Sequence, residues 1–159
     1  MPAAGLVDAH RRTTVGVAAS AYDKRTKSRG CSPVGCIPEN TRDNSRDNRS
    51  RWACKGDLID DDDEGCWIEY YLDEPQDNVE IKIAFYRAMI NIRTLNVYVN
   101  GAYHSQIKSR DDTNGYHTFF LGTKKTEKLK LYLDDWEAKS DVWLSIKEVG
   151  QRRCGLIVL

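Results

Sequence analysis

From Cys66 onward the chain alternates apolar and polar residues with a period of two. In "CWIEYYLD", Trp67, Glu69 and Tyr71 fall on one face of an extended segment and Ile68, Tyr70 and Leu72 on the other. "NVEIKIAFYR" sets Val79, Ile81, Ile83 and Phe85 against Glu80, Lys82 and Tyr86. "TLNVYVNG" repeats the pattern with Leu95, Val97 and Val99, "EKLKLYLDD" with Leu129, Leu131 and Leu133, and "DVWLSIKEV" with Val142, Leu144 and Ile146. A period of two is the signature of a strand with one buried face. "YHSQIK" and "YHTFFLG" read as weaker strands and "TTVGVAASAYD" as the first one; no segment carries a long helical period. Several short half-buried strands joined by turns bury their apolar faces by stacking two sheets. The expected fold is therefore all-β, an antiparallel β-sandwich, and Asn100-Gly101 marks a tight hairpin within it.

Residues 22–51 break the pattern. They are rich in Arg, Asp, Asn and Ser and punctuated by Gly30, Pro33, Gly35 and Pro38, which predicts long irregular loop packed along one end of the sandwich. "TRDNSRDNRSR" looks duplicated but is too short to be an architectural unit. At 159 residues one domain with a proper core is expected.

Charge narrows the function. Lysine plus arginine equals aspartate plus glutamate at 24 each, so no global field points to nucleic acid or an anionic membrane. No apolar run is long enough for a membrane-spanning helix. His10, His104 and His117 form neither a triad nor a metal-ligand spacing, and no Gly-rich phosphate loop occurs, so an enzyme is not expected. Zinc is disfavoured by the same scatter of histidines and by the lack of matched cysteine pairs. Five cysteines in a β-rich chain suggest an extracellular or other oxidising lumenal compartment, yet the N-terminal residues lack the apolar core of a secretory signal. The two observations are reconciled if the targeting segment is missing from this chain.

The densest negative charge, Asp60 to Glu64, lies between Cys54 and Cys66. An acidic metal site, a solvated loop tied by a disulfide and a patch for a basic partner all stay open for it; the run lacks the alternating ligands and central glycine of an EF-hand.

Taken in order, "IPENTRDN", "SRW", "CWIEYYLD", "VEIKIAFYR", "TLNVYVNG" and "WLSIKEV" resemble the discoidin-like, coagulation factor V/VIII C-type domains of galactose-binding-like fold. The similarity is greatest to carbohydrate-binding modules attached to polysaccharide lyases and glycosidases. It spans roughly Val15 to Val149, implying an N-terminal extension (1–14), a jelly-roll domain of about eight strands (15–150) and a C-terminal tail (151–159). Members of that family are generally binders, not catalysts. The resemblance implies a module recognising carbohydrate, in particular a polysaccharide and in one version an anionic one. An accessory subunit using the same fold to hold a protein complex together is the alternative.

The resemblance also implies sites. Many relatives hold a structural calcium ion in the loop matching "PENTRDNSRDNRSRW". The matching residues are Asp43, Ser50 and Glu148, with Asn40 offering a carbonyl and Asp47 replacing or joining Asp43. Two departures stand out: Asn44 occupies the usual glycine position, and about two extra residues precede Trp52. The segment between "RW" and "WI" is expanded here, and Cys54–Cys66 is expected to close it. Cys31–Cys36 is the second expected disulfide, around the turn "SPVG", which leaves Cys154 over. Ligand contacts are expected from Arg87, Arg93, Tyr116, His117 and Trp136. Met89 and Ile90, apolar at a loop tip, are the partner contacts of the alternative reading.

Overall fold

A computed structural model describes residues 14–20, 22, 24, 30–31, 34–43, 45, 47–55, 65–86, 92–109, 116–134 and 143–153. Nine strands are present among them: β1 (Thr14–Ala19), β2 (Trp52–Lys55), β3 (Trp67–Gln76), β4 (Val79–Phe85), β5 (Thr94–Val99), β6 (Ala102–Lys108), β7 (His117–Phe120), β8 (Thr126–Leu133) and β9 (Trp143–Arg153). They form a five-stranded sheet in the order β1-β3-β8-β5-β6 and a four-stranded sheet in the order β2-β9-β4-β7. Every strand pairing is antiparallel. The expected all-β sandwich is what the chain forms.

The alternation does the work. Ile68, Tyr70, Val97, Leu129 and Leu131 of the first sheet meet Ile81, Ile83, Phe85, Leu144 and Ile146 of the second in one buried core. Each fully buried aliphatic side chain contributes roughly 1.5–3 kcal/mol relative to exposure. The strand β2 was visible in the sequence only as the flank of a cysteine, because four residues, "WACK", are too few to show a period. Its Trp52 and Cys54 enter the core, while Ala53 faces outward beneath the Cys31–Cys36 loop and Trp143. In β9 the alternation slips: Phe85 pairs Ile146, but Ala84 pairs Glu148. This bulge turns the inward set from Leu144 and Ile146 to Val149. The strand continues to Arg153, opposite Val79.

Both expected disulfides are present. Cys31 bonds Cys36 and Cys54 bonds Cys66, all four sulfurs being on fully buried residues. The second links β2 to the start of β3 and so ties the two sheets together. Cys154 lies outside the described residues.

The long N-terminal segment is anchored through a 3-10 turn, Pro38–Arg42. Thr41 Oγ1 donates to the Pro38 carbonyl at 2.8 Å and lies 2.7 Å from the Tyr70 phenol oxygen. With its single proton spent on Pro38, the hydroxyl accepts from Tyr70, whose ring is buried in the core. Asn40 Nδ2 donates to the carbonyls of Gly35 and Arg51, both at 3.0 Å, closing the loop against the strand that follows it.

Candidate functional site

The strand registers give the sandwich two unlike ends. At one, the connections are short: 77–78, 100–101 and 121–125. Asn78, Asn100 and Lys125 adopt positive φ there, with Gly101 and Gly122. The expected Asn100-Gly101 turn has both residues in the left-handed region, the geometry of a two-residue hairpin. Asn100 also knits this end together: Oδ1 accepts from the amides of Glu127 and Lys128 while Nδ2 donates to the Lys125 carbonyl.

At the other end lie the strand termini that bound the long connections. Residues 56–66 leave β2 and enter β3 there, and 86–93, 109–116 and 134–142 join β4 to β5, β6 to β7 and β8 to β9. The segment after β1 departs from the same end, since Ala19 pairs Ile68. Backbone bonds set these connections side by side: Ser109 N donates to the Arg93 carbonyl at 2.8 Å, Asp134 N to Thr94 at 2.9 Å and Leu133 N to Cys66 at 2.8 Å. The acidic run 60–64 lies outside the described residues, but Lys55 and Gly65, which flank the segment containing it, belong to this end.

Three cations stand near this loop end, two of them beside aromatic rings. Arg93 is half-buried; its Nε donates to the Trp143 carbonyl at 2.9 Å and its Nη1 to Ile92 at 3.1 Å, while its own amide donates to Ser109 Oγ at 2.7 Å. The Arg51 guanidinium lies over the Tyr86 ring, 4.3 Å from its centre. Lys82 Nζ lies 6.0 Å from the centre of the Tyr116 ring. Lys82 and Tyr86 are outward positions of β4 and its extension, alternating with core residues Ile81, Ile83 and Phe85. A cation held against a ring face contributes roughly 0.5–2 kcal/mol and keeps its remaining donors in a set direction.

Of the five expected ligand residues, Arg93 and Tyr116 are brought to this surface. His117 sits just inside it, buried, with its ring centre 6.4 Å from that of Phe85 and 5.9 Å from that of Phe119. Arg87, Trp136, Met89 and Ile90 lie outside the described residues; Ile92, which follows them, is 55% exposed. Arg51, Lys82 and Tyr86 were missed as site residues. The signal for Lys82 and Tyr86 was present in the polar face of "EIKIAFYR". Nothing in the sequence assigned Arg51 beyond its place before Trp52.

The candidate metal loop is adjacent. Asp43 accepts from the Ser45 amide through Oδ1 at 2.8 Å and from the Ser50 hydroxyl through Oδ2. Asp47 Oδ1 accepts from the Arg49 amide at 2.8 Å. Asp43 and Ser50 are thus in contact. Glu148 is buried on β9, two residues beyond Ile146, the partner of Trp52. Asn40 spends its amide on two carbonyls. Among the described residues no three His, Cys, Asp or Glu side chains gather into a metal-binding group, so a hard cation here would draw on hydroxyl and carbonyl oxygens besides the carboxylates.

Known structures share this fold. The carbohydrate-binding module of the alginate lyase AlyQ, solved with 4,5-unsaturated mannuronic acid, superposes with a TM-score of 0.66 at 20% identity, covering 92% of this chain and 100% of that one. The fold is that of the F5/8 type C, discoidin-like domains. An F5/8 type C domain from Bacteroides fragilis matches with a TM-score of 0.62 at 13% identity over 89% of this chain and 92% of that one. A pectin-binding carbohydrate-binding module matches with a TM-score of 0.60 at 20% identity, over 91% and 94%. No family model matches the sequence, and no curated protein does.

Proposed function

We propose that the protein is a non-catalytic module that binds carbohydrate at the loop end of the sandwich, with an anionic polysaccharide as its ligand. The observation that carries this reading is that Arg93, Lys82, Tyr86 and Tyr116 lie beside the strand ends that bound the long connections, with the buried Arg51 guanidinium held against the Tyr86 ring. A sugar offers an apolar face to a ring and hydroxyl or carboxylate edges to planar, charged donors. The module bound to unsaturated mannuronic acid and the pectin-binding module support an acidic sugar as the ligand class. Two buried disulfides fit an oxidising compartment. Titration with a uronic-acid oligosaccharide tests the reading: Arg93→Ala and Tyr116→Ala should each weaken binding, since a lost charge-assisted contact costs about 1.5–3 kcal/mol, roughly tenfold to a hundredfold in affinity. Unchanged affinity in both variants would remove the loop end from the account.

A structural calcium ion is the second part of the proposal. Asp43, Ser50 and Glu148 would hold it, with carbonyls of the same loop completing the shell. Its role would be to fix the loop that precedes β2 and supplies Arg51. Chelation should lower the melting temperature, and Glu148→Gln should remove most of that sensitivity. Identical melting curves with and without EDTA, in protein shown to have lost its metal, would count against the ion.

A further inference from the structure

The outward face of the five-stranded sheet is built unlike an ordinary solvated surface. Trp67, Tyr132, Tyr98 and Tyr103, from four adjacent strands, follow one another across it. The rings of Tyr98 and Tyr103 are 5.8 Å apart and those of Tyr98 and Tyr132 6.4 Å apart, each pair edge to face. Tyr103 is 60% exposed and Tyr71, on β3, 37% exposed. Cross-strand ring pairs stabilise a sheet, but a sheet needs no ring left this open to water.

Lys130 stands at the centre. Its cross-strand partner on β3 is Glu69, yet its ammonium rests 4.3 Å from the centre of the Trp67 ring and 5.7 Å from that of Tyr132. Glu69 instead accepts a hydrogen bond from the Tyr71 hydroxyl at 2.8 Å. Lys128 lies one outward position along β8 from Lys130. Among the described residues neither lysine is paired with a carboxylate. Beside them the amides of Gln106 and Asn96 are linked at 3.0 Å.

We propose that this face is a second glycan-binding surface, taking an extended anionic polysaccharide, with Lys130 and Lys128 receiving its carboxylates or sulfates and Tyr103 receiving a sugar face. Charge selects the occupant: among the described residues Lys130 and Lys128 have no carboxylate partner, while the carboxylates on this side are engaged elsewhere, Glu69 by Tyr71, Asp73 by Gln76 and Asp134 by Asn96. Side-chain type argues against a lipid, and the two central lysines argue against a protein. The outward positions of β3, β5 and β8 carry aromatic, amide, hydroxyl and charged groups and no Leu, Ile, Val, Met or Phe, whereas the centre of a protein interface is depleted of charge and a lipid-facing surface is aliphatic. The ligand class rests on the reading of the loop end; the location does not.

The test is calorimetric titration of the intact chain with a galacturonate hexasaccharide and with a neutral glucose hexasaccharide. Wild type should bind two galacturonate chains. Lys130→Gln and, separately, Tyr103→Ala should weaken one of the two sites at least tenfold, with both variants still folded and the melting temperature of Tyr103→Ala lowered only by the loss of its ring pair with Tyr98. The neutral chain should bind the face at least tenfold more weakly. A single galacturonate site that ignores both substitutions and is lost with Arg93→Ala would overturn the second surface and leave the loop end standing. A single site lost in Lys130→Gln and Tyr103→Ala but kept in Arg93→Ala would uphold the face and overturn the loop end. No binding by either chain would overturn both.

Discussion

Tyr71 shows how one outward pair sets a measurable property. The Glu69 carboxylate accepts its hydroxyl proton, and this bond, more than partial burial or charge repulsion, raises the phenol above its ordinary pKa. A phenol whose folded pKa lies above its unfolded one adds stability below the unfolded value, and that increment fades as pH climbs through the folded one. Tyr71 is over a third exposed, so solvent screens the effect. Ultraviolet titration of Glu69→Gln against wild type should show one tyrosine ionising at lower pH in the variant; superimposable curves would dismiss the pair. Thr41 is the buried counterpart. Thr41→Val keeps the shape but removes the acceptor facing Tyr70, and should cost about 1 kcal/mol in urea unfolding. The alternation of "CWIEYYLD" already put Glu69 and Tyr71 on one face, but the Thr41 contact was not legible in the sequence. Thr41 lies 29 residues from Tyr70, and only the folded loop brings them together.

Among the elements, the strands with clean alternation were readable residue by residue, down to the inward sets of β4, β5 and β8. Two features were not. β2 is too short to carry a period, and the bulge in β9 breaks the period at the residues where Glu148 joins the strand. The covalent frame was readable because two cysteines flanked an expanded segment. Closing a loop of this size contributes about 3 kcal/mol on the chain-entropy model, so Cys54→Ser/Cys66→Ser should lower stability by roughly that amount. Mass spectrometry of an unreduced digest should show the two peptides linked, and free alkylation of both thiols in native protein would refute the bridge. Gly65, next to Cys66, is held by geometry: its φ is 94° and a Cβ there would meet the Tyr132 hydroxyl at 2.8 Å. Gly65→Ala should therefore destabilise the junction of β2 and β3 by about 1 kcal/mol or more.

At the scale of the whole molecule, one end of the sandwich is closed by tight turns and the other holds the strand termini that bound the long connections, and the candidate site follows from that asymmetry. Arg93 and Tyr116 were expected only through the family resemblance, and both lie beside long connections. Arg51 was not expected, because its partner Tyr86 lies on a different strand connection, 35 positions away in sequence. The central claim is that cations and rings at the loop end bind an acidic glycan. The most direct measurement is titration of wild type and of Arg93→Ala with a uronic-acid oligosaccharide at low and at moderate salt. The account predicts binding by wild type that weakens as salt rises, and a tenfold to hundredfold loss in Arg93→Ala at low salt. Equal affinity in the two proteins, or binding of wild type indifferent to salt, would contradict it.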